Sequence, residues 1–448
     1  MSPAVETLVV GAGISGLAYA HARGASADCV VLEAADQAGG LVRTTSAEGW
    51  RFEDGPEALP GNARAARALT EALDLGVSSA PRAASKRYLC LAGRLHEIPG
   101  SAEDLSTSTI VSFQAKLRLL AEPTRAKGEA LDGSIADFAR HRLGPEALDR
   151  LVDPLVAGIH AGDPEQLSLR ACFPEVVRWV EEHGSLLAAL KAKPRTPPGA
   201  KKEGDALWRP AGGMQRLTDA LARVLEGRLR LATRVVALEH ASAGFRVRDA
   251  GGTTYAARRV VLALPFRAAH ALLASVAPEA SEALGSMQAE SLVSVAHGYR
   301  RTDVEHALDG FGFLVPKQEG GIVLGTLFSS TLDPSCAPAG HVLLRSLLGG
   351  ARAPDAVKLD DEQLLAHVER ECRAPLGLQR APFFTRVTRW DHAIPRYDLE
   401  HPRRQEILAS SLPPGLALLG NYARGLGIGG LVARAEELAR AHVDDVRA

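Results

Sequence analysis

Residues 5–16 read Val5-Glu6-Thr7-Leu8-Val9-Val10-Gly11-Ala12-Gly13-Ile14-Ser15-Gly16, a short apolar run that leads directly into a Gly-x-Gly-x-x-Gly motif. The apolar run predicts a buried parallel strand over 5–10, and the residues after the motif predict a helix over 14–24. A second apolar run over 29–33 predicts the next strand. These three elements form a βαβ unit of the usual length.

The three glycines of the motif have separate tasks in a nucleotide-binding turn. Gly11 permits the tight turn, Gly13 lets the backbone approach a pyrophosphate, and Gly16 lets the helix pack closely on the strand. The amides of Ile14 and Ser15 then lie in the first helical turn, where they face the phosphate charge. A glycine-rich turn alone is a weak signal, because such turns are common.

Glu33 strengthens the interpretation because it stands at the end of the predicted second strand, about 20 residues after the motif. A carboxylate at that place accepts hydrogen bonds from ribose hydroxyls, and it would repel the 2′-phosphate of NADP. The sequence therefore predicts a dinucleotide cofactor other than NADP.

The remainder of the chain alternates between helical and strand patterns. Helices are predicted over 62–75, 101–190, 213–226 and 429–445, and strands over 229–239, 243–249, 258–265, much of 291–350 and 415–420. The stretch 192–204 is charged and rich in proline and glycine, so it predicts a loop at a domain boundary.

Composition limits the class of protein. A chain of 448 residues is long enough for two or three domains. With 52 basic and 53 acidic residues it has no basic excess of the kind that nucleic-acid binders carry. Five scattered cysteines show no metal-binding spacing and no disulfide framework, so no metal site is expected and a reducing compartment fits best. The N-terminus has no signal-peptide pattern and no apolar run is long enough to span a bilayer, so a cytoplasmic location is expected; peripheral contact with the inner face of the cell membrane stays open.

Further motifs follow in an order that resembles one known superfamily. Gly39-Gly40 with Arg43 comes first, then Gly55-Pro56, and a glycine-rich turn around Gly420-Asn421 and Gly427-Ile428 closes the series. This series resembles the flavin amine oxidase and porphyrinogen oxidase superfamily. The resemblance implies FAD, with the first pair of glycines and the arginine near the cofactor and the last motif placing a helix N-terminus at the flavin ring. The implied FAD-binding residues are Gly11, Gly13, Ile14, Ser15, Gly16, Glu33, Gly39, Gly40, Arg43, Gly55, Pro56, Val236, Trp390, Gly420, Asn421, Gly427 and Ile428. No cysteine follows Cys372, so the FAD is expected to be non-covalent.

Segments in the middle of the chain are similar to the porphyrinogen oxidase branch of that superfamily. They are Ser85-Lys86-Arg87-Tyr88-Leu89, the stretch 153–168 followed by Cys172-Phe173-Pro174, the stretches 310–316 and 324–330, and Trp390 to Tyr397. The implied substrate residues are Arg87, which would pair with a propionate, Leu155 and Gly158, where the chain passes close to the substrate, and Leu314, Leu327 and Leu347 on the pocket walls. Three positions depart from the family pattern: Leu347 is smaller than usual, Arg396 adds a positive charge, and Leu431 replaces a common cysteine. The resemblance assigns no catalytic acid or base, and His160 is read as a structural histidine.

The resemblance implies an α/β fold with three parts. These are a discontinuous Rossmann-like FAD-binding domain of the amine oxidase type, a mixed-sheet α+β substrate domain, and an inserted helical domain that associates with membranes in the family. The predicted ranges are 1–78, 206–265 and 386–448 for the FAD domain, 79–86, 187–205 and 266–385 for the substrate domain, and 87–186 for the helical domain. The helical part around 113–120 is compatible with either an interfacial helix or an ordinary core helix.

The implied activity is the oxidation of protoporphyrinogen IX to protoporphyrin IX in haem biosynthesis. Six electrons leave in three two-electron steps, each by hydride transfer to the flavin, and dioxygen accepts them with release of hydrogen peroxide. The alternatives are a coproporphyrinogen III oxidase of the same fold, a related oxidase acting on another amine or pyrrolic metabolite, and, from a different class, a non-catalytic flavin-binding adaptor. The expected partners are a tetrapyrrole and dioxygen but no nucleic acid, and a homodimer stays open.

Overall fold

The computed structural model describes residues 5–100, 102–124, 131–192, 207–423 and 425–447. Most of the predicted boundary loop at 192–204 lies outside the described residues. The strands are β1 (Val5–Val10), β2 (Cys29–Leu32), β3 (Thr44–Ala47), β4 (Trp50–Glu53), β5 (Val77–Ser79), β6 (Tyr88–Leu91), β7 (Arg94–Glu97), β8 (Trp208–Pro210), β9 (Leu229–Arg230), β10 (Val235–Ala241), β11 (Gly244–Asp249), β12 (Thr254–Leu262), β13 (Ala289–Arg300), β14 (Gly312–Leu314), β15 (Val323–Leu327), β16 (His341–Gly349), β17 (Phe384–Pro395) and β18 (Leu416–Leu418).

Helices connect and cover these strands. They are α1 (Ile14–Ala22), α2 (Arg64–Ala72), α3 (Ala102–Thr107), α4 (Phe113–Leu120), α5 (Ile135–Arg142), α6 (Pro145–Ala147), α7 (Asp153–His160), α8 (Leu169–Cys172), α9 (Pro174–His183), α10 (Leu186–Ala192), α11 (Gln215–Val224), α12 (Phe266–Leu273), α13 (Pro278–Gly285), α14 (Ser329–Leu332), α15 (Asp361–Leu376), α16 (His401–Ser410) and α17 (Ile428–Arg447). Local sequence explains several of their ends. Ser134 and Asp137 form a capping box at the start of α5, and α15 ends at Gly377, whose φ of 60° suits a residue without a side chain.

The first sheet has a parallel centre. Its order is β10-β11-β12-β1-β2-β9, with β18 parallel to β12 off this path. Residues of β1 alternate between two cores: Val9 packs with α1 and α17 on one face, whereas Leu8 and Val10 pack with α12 and α13 on the other. Helices on both faces are the arrangement that buries a parallel sheet, and it confirms the predicted α/β class.

The second sheet is mixed, as predicted. Its order is β17-β13-β16-β15-β14-β6-β7, in which β14 and β6 are parallel and the other neighbours antiparallel. In β16, Val342, Leu344 and Leu348 belong to the core that includes α15. The alternate residues of the strand, among them Arg345 and Leu347, therefore point to the opposite face of the sheet.

Two predicted domain limits do not follow the strands of this second sheet. The range 87–186 was expected to be helical, yet β6 and β7 occupy its beginning, and helices start only at Ala102. The range 386–448 was expected to lie wholly in the FAD domain, yet β17 pairs with β13. The predicted strand 229–239 is also divided, because Ala232 adopts a φ of 51° between β9 and β10. Among the described residues, no helix combines the length and apolar character needed to cross a bilayer.

Candidate functional site

The glycine turn after β1 has the geometry that the motif predicts. Gly11 has a φ of 105°, and a Cβ there would lie 2.3 Å from the carbonyl oxygen of Ala263. A Cβ on Gly16 would lie 2.0 Å from the carbonyl oxygen of Gly11, so α1 packs directly on the turn. Gly13 differs, because a Cβ there would have no neighbouring atom of the described residues within 4 Å. Only Gly13 leaves room for a ligand, as a residue that lets a pyrophosphate approach should.

Glu33 follows β2 and braces this turn. Its Oε2 accepts a hydrogen bond of 2.6 Å from the amide of Ala12, and its Oε1 accepts one of 2.9 Å from the amide of Ala35. The side chain is only half-buried, so its carboxylate remains accessible. Ile14 and Ser15 lie in the first turn of α1, both buried.

The second glycine motif packs on the first. The amide of Gly39 donates to the carbonyl of Ala12 at 2.9 Å, and a Cβ on Gly40 would lie 3.3 Å from the Cα of Gly13. Val236 is 48% exposed on β10, just after a segment whose Thr233 amide donates to the Glu33 carbonyl at 2.7 Å. The two glycine motifs therefore meet around one turn, and the segment that precedes Val236 is attached to it through Glu33.

A cavity of about 850 Å³ lies beyond this turn. It is lined mainly by apolar groups, and its walls come from the second sheet, from α2, from α7, from the start of α17 and from the loops that carry Leu41, Gly55 and Asn421. The lining residues are Leu41, Asp54, Gly55, Pro56, Ala58, Leu59, Pro60, Asn62, Ala63, Arg64, Ala65, Gly158, Ile159, Leu292, Arg345, Leu347, Trp390, Ala393, Ile394, Asn421, Leu426, Gly427, Ile428, Gly429, Gly430 and Ala433. This volume suits a small-molecule site.

The C-terminal motif forms one wall of the cavity. Asn421 is fixed by a hydrogen bond of 2.9 Å from its Nδ2 to the carbonyl of Ala393, and Gly427 leads into α17 at Ile428. Among the described residues, a Cβ on Gly427 would meet no atom within 4 Å, whereas one on Gly420 would lie 2.4 Å from the Tyr422 ring. Gly420 is therefore needed for packing, and Gly427 leaves open space at the positive end of a helix.

The opposite wall is formed by the loop that carries Gly55 and Pro56. A Cβ on Gly55 would lie 1.9 Å from the carbonyl oxygen of Leu41, so this position excludes any side chain. The indole Nε1 of Trp390 donates to the carbonyl of Asp54 at 2.7 Å, and the Arg43 guanidinium lies 5.5 Å from the Trp390 ring centre. The structure thus brings Arg43 next to the cavity wall through Trp390, although Arg43 does not itself line the cavity.

Two of the six predicted substrate residues, Gly158 and Leu347, line the cavity. Leu314 lies next to them, because a Cβ on Gly158 would come within 2.7 Å of its Cδ2. Leu155 is 46% exposed on α7, and Leu327 ends β15, paired across the strands with Arg345. Neither lines the cavity.

Arg87 also lies outside the cavity lining. It is exposed just before β6, its Nη1 donates to the carbonyl of Ser85 at 3.0 Å, and its guanidinium is 5.4 Å from the Phe311 ring centre. Within the described residues no carboxylate forms an ion pair with Arg87, so its charge is available to a ligand.

Buried charges surround the wall at Gly55, and the sequence did not reveal them. Arg345 is 4% exposed and pairs with Glu57 at 2.9 Å, while Arg209 lies 3.5 Å from Glu57 and 3.9 Å from Glu53. Burial, with the nearby Glu57 charge, raises the pKa of Glu53 to about 7. The signal that could have shown Arg345 is a single charge inside the apolar strand sequence of β16.

The three departures noted in the sequence now have places in the structure. Arg396 donates to Glu290 at 2.7 Å and to Gln288 at 2.6 Å, so its charge is paired and does not line the cavity. Leu431 packs in the core beside α1. Leu347 lies on the cavity wall, where its small side chain leaves room. His160 is buried, and burial lowers its pKa to about 4, which fits a neutral structural histidine.

The residues present fit a dinucleotide with an attached flat ring. Gly13 and Gly427 leave space where side chains would block a ligand, and Gly427 and Gly55 both line the apolar cavity. None of the five cysteines lines this cavity.

Comparison with known proteins supports this interpretation. The family model for flavin-containing amine oxidoreductases matches residues 14–446. The chain is 30% identical over 470 residues to a chloroplastic protoporphyrinogen oxidase of Nicotiana tabacum, covering 97% of this chain and 85% of that protein. It is 27% identical over 448 residues to the coproporphyrinogen III oxidase of Bacillus subtilis (strain 168), covering 94% of each.

Solved structures show the same architecture. The crystal structure of a protein from Exiguobacterium sp. 255-15, provisionally assigned as a protoporphyrinogen oxidase, gives a TM-score of 0.82 at 25% identity and covers 98% of this chain and 99% of that one. Cyclohexylamine oxidase from Brevibacterium oxydans IH-35A gives a TM-score of 0.77 at 18% identity, covering 100% of both chains. At that identity the second similarity shows the fold alone.

Proposed function

Since the chain belongs to the flavin-containing amine oxidoreductase family, we propose that it is an FAD-dependent oxidase that converts protoporphyrinogen IX to protoporphyrin IX in haem biosynthesis. The observation that carries the proposal is the single cavity shared by the cofactor loops, at Gly55 and Gly427, and by the substrate-side residues Gly158 and Leu347. A bound flavin would accept two electrons at a time from the substrate and pass them to dioxygen.

The chain itself supplies binding and orientation. The backbone at Gly13 and the start of α1 would hold the pyrophosphate, and Glu33 the ribose. The N-terminus of α17 favours negative charge at the ring. Because the cavity walls are largely apolar, they exclude water and hold a hydrophobic macrocycle against the ring. The structure supports non-covalent FAD, since the cavity lining contains no cysteine.

Charge at the cavity favours protoporphyrinogen over coproporphyrinogen. The lining includes two cations, Arg64 and Arg345, and the second is already engaged by Glu57. Arg64 is exposed at the cavity edge, whereas Arg87, also exposed, precedes β6 and does not line the cavity. Arg64 is thus the one lining guanidinium that no carboxylate of the described residues engages, and so little free positive charge suits the two propionates of protoporphyrin precursors better than the four of coproporphyrinogen. The Bacillus subtilis relative keeps coproporphyrinogen as the second candidate.

The deciding experiment is a spectrum of the purified protein before and after each porphyrinogen under anaerobic conditions. The proposal expects a flavin absorbance that bleaches with protoporphyrinogen, together with porphyrin fluorescence, and recovers with peroxide release when air is admitted. Faster bleaching with coproporphyrinogen would transfer the assignment to the second candidate. A bound flavin that neither substrate bleaches would favour a recruited oxidase or a non-catalytic adaptor, and a colourless protein would refute the flavin assignment. Acid release of the flavin followed by chromatography separates FAD from FMN and tests the non-covalent linkage.

A further inference from the structure

Arg345 is a buried cation in the wall of the cavity. It lies on β16, among mainly apolar residues, and only 4% of it is exposed. Burying a guanidinium is costly unless each part of it is paired. The partners of Arg345 therefore indicate what its burial achieves.

The guanidinium divides its hydrogen bonds between two kinds of partner. Its Nε donates to Ser294 Oγ at 2.7 Å and its Nη1 donates to Glu57 at 2.9 Å, and these contacts fix the plane and balance the charge. Its Nη2 donates to two backbone carbonyls, those of Asp54 at 3.2 Å and Gly55 at 2.5 Å. A rigid fork of this kind can hold several acceptors at once in one geometry.

Both carbonyls belong to the short loop that lines the cavity. The same Asp54 carbonyl also accepts from Trp390, and Gly55 is closed in by the carbonyl of Leu41. The next residue, Pro56, has no amide hydrogen to anchor the loop. Arg345 is thus a main support of the wall at Gly55 and Pro56.

We propose that Arg345 is a positioning residue: its guanidinium fork holds the Asp54 and Gly55 carbonyls so that the cavity wall keeps the shape required by the cofactor ring. The inference rests on the proposed flavin site and names a residue that the family resemblance did not supply. Arg345 contacts the loop and acts through it.

The test separates the fork from its charge. Arg345→Lys keeps a cation in the wall. A lysine ammonium cannot, however, contact the two backbone carbonyls and the side chains of Ser294 and Glu57 at the same time. We expect FAD affinity of the apoprotein to fall about tenfold or more, since two hydrogen bonds to a charged group are lost, and the flavin absorbance bands and midpoint potential to shift. Ser294→Ala removes only the hydrogen bond that Arg345 Nε donates, so it should produce a smaller change in the same direction. It replaces Arg345→Lys as the test if the lysine variant does not fold.

The matched control is Arg142→Lys. Arg142 is also buried, pairs with Glu122 at 2.8 Å and donates to the Gly184 carbonyl at 3.2 Å, and none of these three residues lines the cavity. It should lose thermal stability without altering the spectrum, potential or affinity of bound FAD. The proposal is overturned if Arg345→Lys and Ser294→Ala bind FAD with the wild-type affinity, spectrum and potential, or if Arg142→Lys shifts them equally. A wild-type protein without flavin would instead refute the proposed function, so the two failures are distinguishable.

Discussion

Glu53 is a residue whose burial makes stability depend on pH. It is 2% exposed, accepts from the Met214 amide at 3.0 Å, and has a pKa raised to about 7 by burial from its ordinary 4.5. Between these two values the folded protein keeps a proton that the unfolded chain has released. Stability is therefore expected to fall as pH rises through this window, by up to about 3 kcal/mol from this residue.

Glu53→Gln removes that dependence because the amide does not titrate. We expect the variant to gain free energy of unfolding relative to wild type on going from pH 5 to pH 8, measured by urea unfolding. The matched control is Glu226→Gln, at an exposed position after α11. If the difference in free energy of unfolding between wild type and Glu53→Gln stays constant with pH, Glu53 is not the source of the pH dependence.

Gly55 and Gly427 are expected to be glycine for different reasons: Gly55 because the chain packs closely around it, and Gly427 because a ligand needs the space beside it. Gly55→Ala places a methyl group 1.9 Å from the Leu41 carbonyl, so the apoprotein should lose about 1–3 kcal/mol of stability. Gly427→Ala places its methyl group in open space, so the apoprotein should unfold as wild type does while its affinity for FAD falls. Chemical unfolding of both apoproteins, with a flavin titration, checks this. Equal destabilisation of the two would contradict the assignment of Gly427 to ligand space.

Arg87 is expected to bind a substrate carboxylate, since no described residue neutralises its charge. Arg87→Ala should raise KM about tenfold or more and leave kcat nearly unchanged, because a charge-assisted pair is lost outside the reacting centre. Arg82→Ala is the control, an exposed arginine in the turn before β6. If both variants keep the wild-type KM for protoporphyrinogen, Arg87 has no part in binding.

At this scale the sequence predicted the residues whose type is dictated by local backbone geometry. Gly11, Gly16 and Glu33 lie where the motif required, because each acts within one βαβ unit. Arg345 was not predicted because its partner Glu57 is far away in the chain, and only the folded sheet brings them together. The orientation of Arg396 was equally hidden, since Glu290 reaches it across paired strands.

At the scale of elements, α4 has an unusual surface. Phe113, Leu117 and Leu120 are 74%, 51% and 61% exposed, at positions that share one face of the helix. Lys116 and Arg118 lie between them in sequence. Because these apolar side chains are exposed, α4 does not fit the alternative of an ordinary core helix. An exposed apolar face with basic residues beside it is typical of an interfacial helix. We propose that α4 contacts a membrane surface.

Replacing Phe113, Leu117 and Leu120 by serine should reduce sedimentation with anionic phosphatidylglycerol vesicles about tenfold, with flavin content unchanged. Serine at Val224 and Leu231, which are 53% and 38% exposed around the α11–β9 region, is the control. Binding that responds equally to both sets, or wild-type protein that stays in the supernatant, would remove α4 from membrane contact.

Strands that are marked by an apolar run in the sequence could be predicted, but the strands with which they pair in a sheet could not. The periodicity of 5–10 and 29–33 indicated β1 and β2 correctly, since buried parallel strands carry continuous apolar runs. The predicted domain limits at 87 and 386 do not follow the sheet because β6 and β17 pair with strands far away in sequence, at β14 and β13. Register of that kind depends on the whole sheet.

The whole molecule closes around one ligand site with the two ends of the chain. The turn at 11–16 comes from the N-terminus and the motif at 420–428 from the C-terminus, and both lie against the sheet through β1, β12 and β18. Side chains of β13, β16 and β17 in the second sheet, among them Arg345, Leu347 and Trp390, complete the cavity. A ligand that reaches from the glycine turn into the cavity therefore holds together segments that the chain connects only distantly.

This arrangement predicts that FAD stabilises the apoprotein more than ADP, which is only a part of FAD, does. Binding to the folded state alone adds about 2.7 kcal/mol at a ligand concentration of 100 times Kd, so FAD should raise Tm by several degrees. ADP reaches only the side of Gly13 and Glu33, and at the same concentration it should give a smaller rise. Thermal unfolding of the apoprotein with FAD, with ADP and without ligand measures the difference. Equal Tm shifts with FAD and ADP would mean that the flavin part of FAD adds no binding free energy. The cavity between Gly55 and Gly427 would then make no contribution to cofactor binding.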